Sequence, residues 1–217
     1  MTSIIAVVDY GMGNLRSVAK AIEHVAEKNQ RVLVTSNKAE IASASHVIFP
    51  GQGAARDCMR ELRQHALTES VLDATQNKPF LGICMGLQVL MAHSEENDGV
   101  NCMALYPGEV RALAPKLAAT GDHGLKIPHM GWNNVTQTQA HPLWAGIKQD
   151  SRFYFVHSYF VDPEDHSIVS GTTHYGIEFT SAIACDNVFA VQFHPEKSAA
   201  DGLRLLHNFV RWNGQTA

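Results

Sequence analysis

Apolar runs alternate with amphipathic stretches along the first half of the chain. Buried strands are predicted at residues 4–9, 32–35, 46–49 and 80–84, where β-branched and other apolar residues follow one another. Apolar residues recur at helical spacing over residues 14–28, and further helices are predicted before the third strand, up to about residue 75, and over residues 85–92. Strands and helices that alternate in this way predict parallel βαβ units in a doubly wound sheet.

The second half contains more strand signals than helical ones. Short strands are predicted at residues 110–113, 153–156, 168–173, 181–185 and 188–193, and a final helix at about residues 200–212. No repeat, low-complexity tract or linker interrupts the chain. We therefore predict an α/β fold in one domain, residues 1–217, with a mostly parallel central sheet, flanking helices and some antiparallel strands in the second half.

Composition narrows the classes of function. The 217 residues are 45% hydrophobic and 18% charged, which is typical of a globular protein. The net charge of -4 gives no general attraction to nucleic acid or to an anionic membrane. The apolar run at residues 4–9 is too short for a signal peptide, and four cysteines without a CxxC pair suggest reduced thiols. We expect a cytoplasmic protein.

The first candidate for chemistry is the segment Gly82-Ile83-Cys84-Met85-Gly86. It joins a predicted strand to a predicted helix, and glycines flank the cysteine, as in the strained turn of a nucleophile elbow. The thiolate is the nucleophilic form of cysteine, and a helix N-terminus and a neighbouring imidazolium both stabilise it. The backbone amide of Met85 would donate to an oxyanion, and the loop Gly51-Gln52-Gly53 would supply the second donor.

The second candidate lies in the segment Gln192-Phe193-His194-Pro195-Glu196. His194 and Glu196 are two positions apart, and Pro195 favours an extended backbone, so both side chains are expected on one face of a strand. His194 would act as the base for Cys84, and Glu196 would orient the imidazole. A lone cysteine is more often a buried apolar residue, and a lone His-x-Glu is usually structural. Their joint occurrence favours acyl transfer through a thioester.

At these residues the sequence resembles the class I, or triad-type, glutamine amidotransferases. Other blocks are similar to one branch, the glutaminase subunits of imidazole glycerol phosphate synthase in histidine biosynthesis. Together they span almost the whole chain: Val8-Asp9-Tyr10-Gly11-Met12-Gly13-Asn14-Leu15, Pro128-His129-Met130-Gly131-Trp132-Asn133, Tyr154-Phe155-Val156-His157-Ser158-Tyr159 and Gln192-Phe193-His194-Pro195-Glu196-Lys197-Ser198.

The resemblance implies that glutamine is hydrolysed to glutamate and ammonia through a thioester on Cys84. The ammonia would pass to a (β/α)8 cyclase subunit in a heterodimer, which would form imidazole glycerol phosphate and an aminoimidazole carboxamide ribotide. No cofactor is expected, and no metal site either, because the twelve histidines are scattered without an HxxxH or Cys/His cluster. The resemblance also implies that the amino-acid end of glutamine is bound by Gln88 and Glu96 with backbone from His157, Ser158 and Tyr159, and that Asn14 and Lys197 face the partner.

One residue departs from the family pattern. Gln52 stands in the oxyanion loop where a small apolar residue is expected. Only its backbone amide is needed, but the side chain could change how that peptide reorients.

Two other functions stay open. One alternative is a related amidotransferase with a different acceptor, such as a sugar-modifying paralogue or the glutaminase of vitamin B6 synthesis. The other is a degenerate, non-enzymatic subunit, which the complete set Cys84, His194 and Glu196 disfavours.

Overall fold

The first half of the protein alternates strands with helices, as the sequence predicts. The computed structural model describes residues 2–121 and 124–216. The strands of this half are β1 (Ser3–Val8), β2 (Gln30–Thr35), β3 (His46–Gly51) and β4 (Phe80–Cys84). The helices are α1 (Leu15–Val25), α2 (Lys38–Ser43), α3 (Ala55–Gln64), α4 (Thr68–Asn77) and α5 (Met85–Gln88). The stretch up to residue 75, for which one or two helices were predicted, therefore holds two.

The second half adds mainly antiparallel strands. Its strands are β5 (Met91–Ser94), β6 (Val100–Asn101), β7 (Tyr106–Ala112), β8 (His129–Gln137), β9 (Ser151–His157), β10 (Tyr159–Pro163), β11 (Val169–Tyr175), β12 (Ile177–Cys185) and β13 (Val188–Val191). Its helices are α6 (Leu113–Thr120) and α7 (Ala199–Arg211). The described residues form a 13-stranded sheet, which confirms the predicted α/β class with a large central sheet.

The parallel part of the sheet has the strand order β2-β1-β3-β4-β13. Every neighbouring pair in it is parallel, and Gly51 at the end of β3 lies opposite Cys84 at the end of β4. The carboxyl ends of these strands therefore meet at one edge, which is where ligands bind in open α/β sheets.

Helices cover both faces of the parallel strands. Ile5 and Val7 of β1 belong to a cluster with residues of α1 and α7, whereas Ala6 and Val8 belong to a cluster with α3 and α4. Successive side chains of a strand point to opposite faces, so β1 contributes to both clusters and is buried from residue 5 onward. This double coverage explains why the early strands are nearly continuous apolar runs.

The helix predicted over residues 85–92 is present but only half as long as expected. Helix α5 ends at Gln88, and Met91 already pairs with Tyr106 in the parallel ladder between β5 and β7. The side chains of residues 87, 89, 90 and 91 are all fully buried, and a continuous buried apolar run fits a strand as well as a helix. Tertiary pairing decides between them.

Two further sequence expectations need correction. The last predicted strand continued to residue 193, but β13 ends at Val191. The strand predicted at residues 110–113 ends at Ala112, because Leu113 begins α6. Among the described helices, none is both long and apolar enough to cross a membrane. All four cysteines are free thiols.

Candidate active site

Cys84 sits at a sharp turn between β4 and α5. Its backbone has φ 56° and ψ -104°, a conformation that residues with a Cβ rarely adopt. The flanking glycines leave space for this turn. A Cβ on Gly86 would overlap the carbonyl oxygen of Phe49, and one on Gly82 would lie 2.6 Å from the Gly86 carbonyl oxygen. This is the geometry of a nucleophile elbow, in which the crossing chains leave no room for side chains.

His194 and Glu196 form a buried pair beside Cys84. His194 Nδ1 lies 2.9 Å from Glu196 Oε1, and the two side chains are 4% and 1% exposed. The extended strand expected for both residues is wrong. His194 precedes a short 3-10 helix, Pro195–Lys197, and the turn brings the carboxylate back to the ring. The pairing of His194 with Glu196 therefore comes from a local turn and not from an extended strand.

The surroundings change the charge of His194. Burial lowers the pKa of the imidazole, but the hydrogen-bonding interactions with Cys84 and Glu196 outweigh it and raise the pKa from 6.5 to about 10. Cys84 and Glu196 each raise the pKa of His194 through hydrogen bonding and, to a smaller extent, through charge. The ring is therefore positively charged at neutral pH and can balance a thiolate.

These groups open into a cleft of about 740 Å³. Most of the residues that the sequence singled out line it: Gln52, Cys84, Met85, Gln88, Glu96, His157, Ser158, Tyr159, His194 and Lys197. The size is that of a small-molecule site. Residues separated by more than a hundred positions in the sequence are thus brought together at the carboxyl edge of the parallel strands.

The candidate oxyanion donors lie next to Cys84. Met85 begins α5, so its backbone N–H is one of the first in the helix and has no partner within it. Gly51 packs tightly against this residue, since a Cβ on Gly51 would lie 2.7 Å from Met85 Cβ. Gln52 follows Gly51 and is exposed at the cleft.

The side chains of Gln88 and Glu96 are held in place by hydrogen bonds. Gln88 Nε2 donates to the Tyr159 carbonyl oxygen at 3.1 Å and to Gln192 Oε1 at 3.0 Å. Both amide hydrogens of Gln88 are used, so only its oxygen is available to a ligand. Glu96 Oε2 accepts a hydrogen bond of 2.6 Å from the backbone amide of Ala55. Both side chains can therefore accept hydrogen bonds from an ammonium group.

The side chain of His157 turns into the protein. His157 Nδ1 lies 2.8 Å from the Tyr159 carbonyl oxygen, and His157 Nε2 lies 2.9 Å from Nδ1 of His129. Both ring nitrogens are occupied, so only the backbone of His157 is available to a ligand, as expected. The Ser158 carbonyl accepts from the Leu113 amide.

Sequence reasoning missed Gln192 as a site residue. Gln192 is fully buried, and its Nε2 lies 3.5 Å from Cys84 Sγ. The sequence offered one indication, the position of Gln192 two residues before His194. A glutamine alone has no chemistry that would assign it a role from the sequence.

The two residues expected at the partner interface differ in position. Lys197 is exposed and lines the cleft, with Nζ 5.9 Å from the centre of the Tyr154 ring. Asn14 precedes α1 and is half-buried; its carbonyl oxygen accepts from the amides of Ser17 and Val18, and it does not line the cleft.

Comparisons with known proteins agree with this geometry. The family model described as glutamine amidotransferase class-I matches residues 6–212. The chain is 56% identical over 212 residues to the imidazole glycerol phosphate synthase subunit HisH of Hydrogenovibrio crunogenus, covering 98% of each chain. It is 59% identical over 215 residues to that of Thiobacillus denitrificans, covering 98% of this chain and 93% of the relative.

Solved structures show the same fold at low sequence identity. The structure of PurLQS from Thermotoga maritima matches with a TM-score of 0.71 and 18% identity, over 97% of this chain and 99% of that one. A putative GMP synthase subunit from Thermoplasma acidophilum matches with a TM-score of 0.68 and 14% identity, over 97% and 94%. From the family match and the close relatives, the chain belongs to the class I glutamine amidotransferases and, within them, to the HisH subunits of imidazole glycerol phosphate synthase.

Proposed function

We propose that this chain, acting as a single domain, hydrolyses glutamine to glutamate and ammonia through a glutamyl thioester on Cys84. One observation carries the proposal: a cysteine at a strained elbow shares a cleft with a buried His194–Glu196 pair. A decayed site would have no reason to keep a strained backbone around the sulfur, since such strain costs about 1–3 kcal/mol.

In the first half of the reaction, the Cys84 thiolate attacks the side-chain amide carbon of glutamine. The carbonyl oxygen becomes an oxyanion, which accepts from the backbone amide of Met85 and from a second amide in the segment Gly51-Gln52. His194 carries a proton and gives it to the departing nitrogen. Ammonia leaves, and the acyl group stays on the sulfur as a thioester.

In the second half, water hydrolyses the thioester. His194, now neutral, takes a proton from the water as it attacks the acyl carbon, and the collapse of the intermediate returns the thiolate and releases glutamate. Glu196 holds the ring orientation through both halves. Gln88 and Glu96 accept from the α-ammonium of glutamine, with backbone of residues 157–159 alongside.

We infer further that the ammonia goes to a (β/α)8 cyclase subunit, in a reaction of the cytoplasm, where free thiols persist. The names of the close relatives support this partner. We infer that its surface on this chain is a patch beside the cleft, which we call the rim patch: Met130, Trp132, Tyr154 and Lys197. Met130 pairs with Val156 of the cleft wall, and Trp132 and Lys197 both contact the Tyr154 ring. Met130 is 62% exposed and Trp132 43% exposed. Exposed apolar side chains that adjoin a cleft are typical of a protein interface.

The deciding experiment measures glutamate release by the chain alone and with a purified cyclase subunit plus its ribulosyl substrate or a stable analogue. We expect low activity alone and stimulation by orders of magnitude in the loaded complex. Full activity of the lone chain would contradict a partner-gated glutaminase. Stimulation without imidazole glycerol phosphate formation would favour an amidotransferase with a different acceptor.

The Cys84→Ala variant tests the nucleophile in the same complex. We expect glutamine-dependent synthesis to be lost and ammonia-dependent synthesis to remain, because only the supply of ammonia is removed. A Cys84→Ala complex that still hydrolysed glutamine would refute the thioester mechanism.

A further inference from the structure

A chain of buried hydrogen bonds ends on the sulfur of Cys84. Gln192 Nε2 donates to Cys84 Sγ at 3.5 Å, and Gln88 Nε2 donates to Gln192 Oε1 at 3.0 Å. Gln88 Nε2 also donates to the Tyr159 carbonyl oxygen at 3.1 Å. Gln192 is 0% exposed and Gln88 is 3% exposed, so protein groups rather than bulk water decide which atoms these amides present.

These hydrogen bonds allow only one orientation of the side-chain amide of Gln192. The Tyr159 carbonyl can only accept, so the group of Gln88 beside it must be the NH2 group. That same NH2 group faces Gln192, and therefore the facing atom of Gln192 must be its oxygen. The NH2 group of Gln192 is then left against the sulfur. A flipped Gln192 would set two NH2 groups against each other and a carbonyl oxygen against a thiolate.

Two histidines extend the chain away from the cleft. Since the Tyr159 carbonyl only accepts, Nδ1 of His157 must carry the hydrogen of their 2.8 Å bond. Nε2 of neutral His157 then accepts from Nδ1 of His129 at 2.9 Å, and Nε2 of His129 accepts from Nδ2 of Asn133 at 3.3 Å. Each imidazole ring and side-chain amide in this series of hydrogen bonds thus has one assigned orientation.

The histidines keep that orientation because they stay neutral. Burial lowers the pKa of His129 to about 4 and that of His157 to about 3. His129 is also clamped between two rings, with centres 4.0 Å from Tyr175 and 4.9 Å from Phe155. A ring held on both faces cannot easily turn over and exchange its two nitrogens.

We propose that Gln192 is a further catalytic residue, whose side-chain NH2 group donates to the Cys84 sulfur and stabilises the thiolate, and that Gln88, held by the Tyr159 carbonyl, is a positioning residue that fixes its orientation. This inference rests on the proposed function, in which Cys84 is the nucleophile. The donor acts on the sulfur and is separate from the backbone donors assigned to the oxyanion.

The test replaces Gln192 by Met, which has similar length and no donor, and by Glu, which keeps the shape. In the loaded complex we expect kcat for glutamate release to fall by about 10- to 100-fold in Gln192→Met, the effect of one hydrogen bond to a charged group. It should fall at least as far in Gln192→Glu, which sets a carboxyl oxygen against the sulfur. KM for glutamine should change little in Gln192→Glu, because the carboxyl group keeps an acceptor for Gln88 Nε2. Iodoacetamide should alkylate Cys84 more slowly in the lone chain, with the half-maximal rate at higher pH. Gln139→Met, which loses a 3.2 Å bond to the Val169 carbonyl outside the site, is the matched control.

The outcomes separate this inference from the proposed function. A wild-type complex without glutaminase activity, or an active Cys84→Ala complex, would overturn both. An active wild type in which both Gln192 variants keep wild-type kcat and alkylation would overturn only the role of Gln192.

A measurement independent of activity and of the Gln192 variants uses nitrogen NMR. In the wild type, His129 and His157 should be Nδ1–H tautomers from pH 6 to 8, and the Gln192 NH2 resonances should shift in Cys84→Ala. Unshifted Gln192 resonances would contradict the hydrogen bond to the sulfur, and Nε2–H tautomers would contradict the hydrogen bonds assigned to the two histidines.

Discussion

The proton on His194 depends on two neighbours, Cys84 and Glu196. Both raise the pKa of the ring against the opposing effect of burial, to about 10. The Cys84→Ala variant keeps Glu196 but loses the sulfur. We therefore expect the pKa of His194 to fall in that variant, as measured by the NMR titration of the ring. An unchanged pKa would show that Glu196 alone holds the charge.

The same shift makes a prediction about stability. The pKa of His194 is higher in the folded protein than the 6.5 of an unfolded chain. Its contribution to the free energy of unfolding is therefore complete below about pH 6.5 and is lost as the pH rises through about 10. In Cys84→Ala this loss should be smaller, which urea unfolding at several pH values can measure.

Elements, rather than single side chains, set the position of the elbow. Helix α5 and strand β3 touch so closely that a Cβ on Gly86 would overlap the backbone of Phe49. A backbone group cannot move aside as a side chain can, so Gly86→Ala should separate the two elements. We expect a loss of about 1–3 kcal/mol in the free energy of unfolding. We also expect glutaminase activity to fall by roughly tenfold or more, because the donors move away from the sulfur.

The control for that variant is Gly121→Ala, at the end of α6. Gly121 has φ 75°, so alanine should cost about 1–2 kcal/mol there, but no described residue beyond its chain neighbours lies within 4 Å of the new Cβ. Its activity should be that of the wild type. If Gly86→Ala kept full activity after a similar loss of stability, the close packing at the elbow would have no part in catalysis.

The elements differ in how well their sequences predict them. The parallel strands are buried on both faces, so their apolar runs are continuous and easy to recognise. Strand β8 is not predicted because it is half-exposed and mostly polar, and it forms through its pairing with β9 and β11. The start of strand β5, residues 91 and 92, falls in the predicted helix because the apolar run before it is buried in either structure. Such elements are specified by their neighbours in the sheet.

At the scale of the whole molecule, the candidate site was partly predictable. Cys84, His194 and Glu196 could be found because their chemistry needs particular residue types at particular spacings. Gln192 could not, because its role comes from contacts with Gln88 and Cys84, more than a hundred positions away. No local pattern in the sequence records such contacts.

The rim patch makes a prediction about assembly. Truncating Met130 and Trp132 to alanine should weaken binding of a cyclase subunit by about tenfold or more, because exposed aromatic anchors dominate interfaces. Calorimetric titration measures the affinity, and thermal unfolding shows whether the fold is intact. Val34→Ala removes another exposed apolar side chain, 40% exposed on β2, and should bind normally. If the variant truncated at Met130 and Trp132 bound the cyclase as tightly as Val34→Ala, the interface would lie on another surface.

The backbone of Cys84 has a consequence for protein design and selection. At φ 56° and ψ -104°, glycine should be more stable than alanine by about 1 kcal/mol or more, the reverse of their order at most buried positions. Comparing the unfolding of Cys84→Gly and Cys84→Ala measures this, since both lack the sulfur. A screen for thermal stability that ignored activity would therefore favour replacing the nucleophile itself, so directed evolution of this protein must select for ammonia production and stability together.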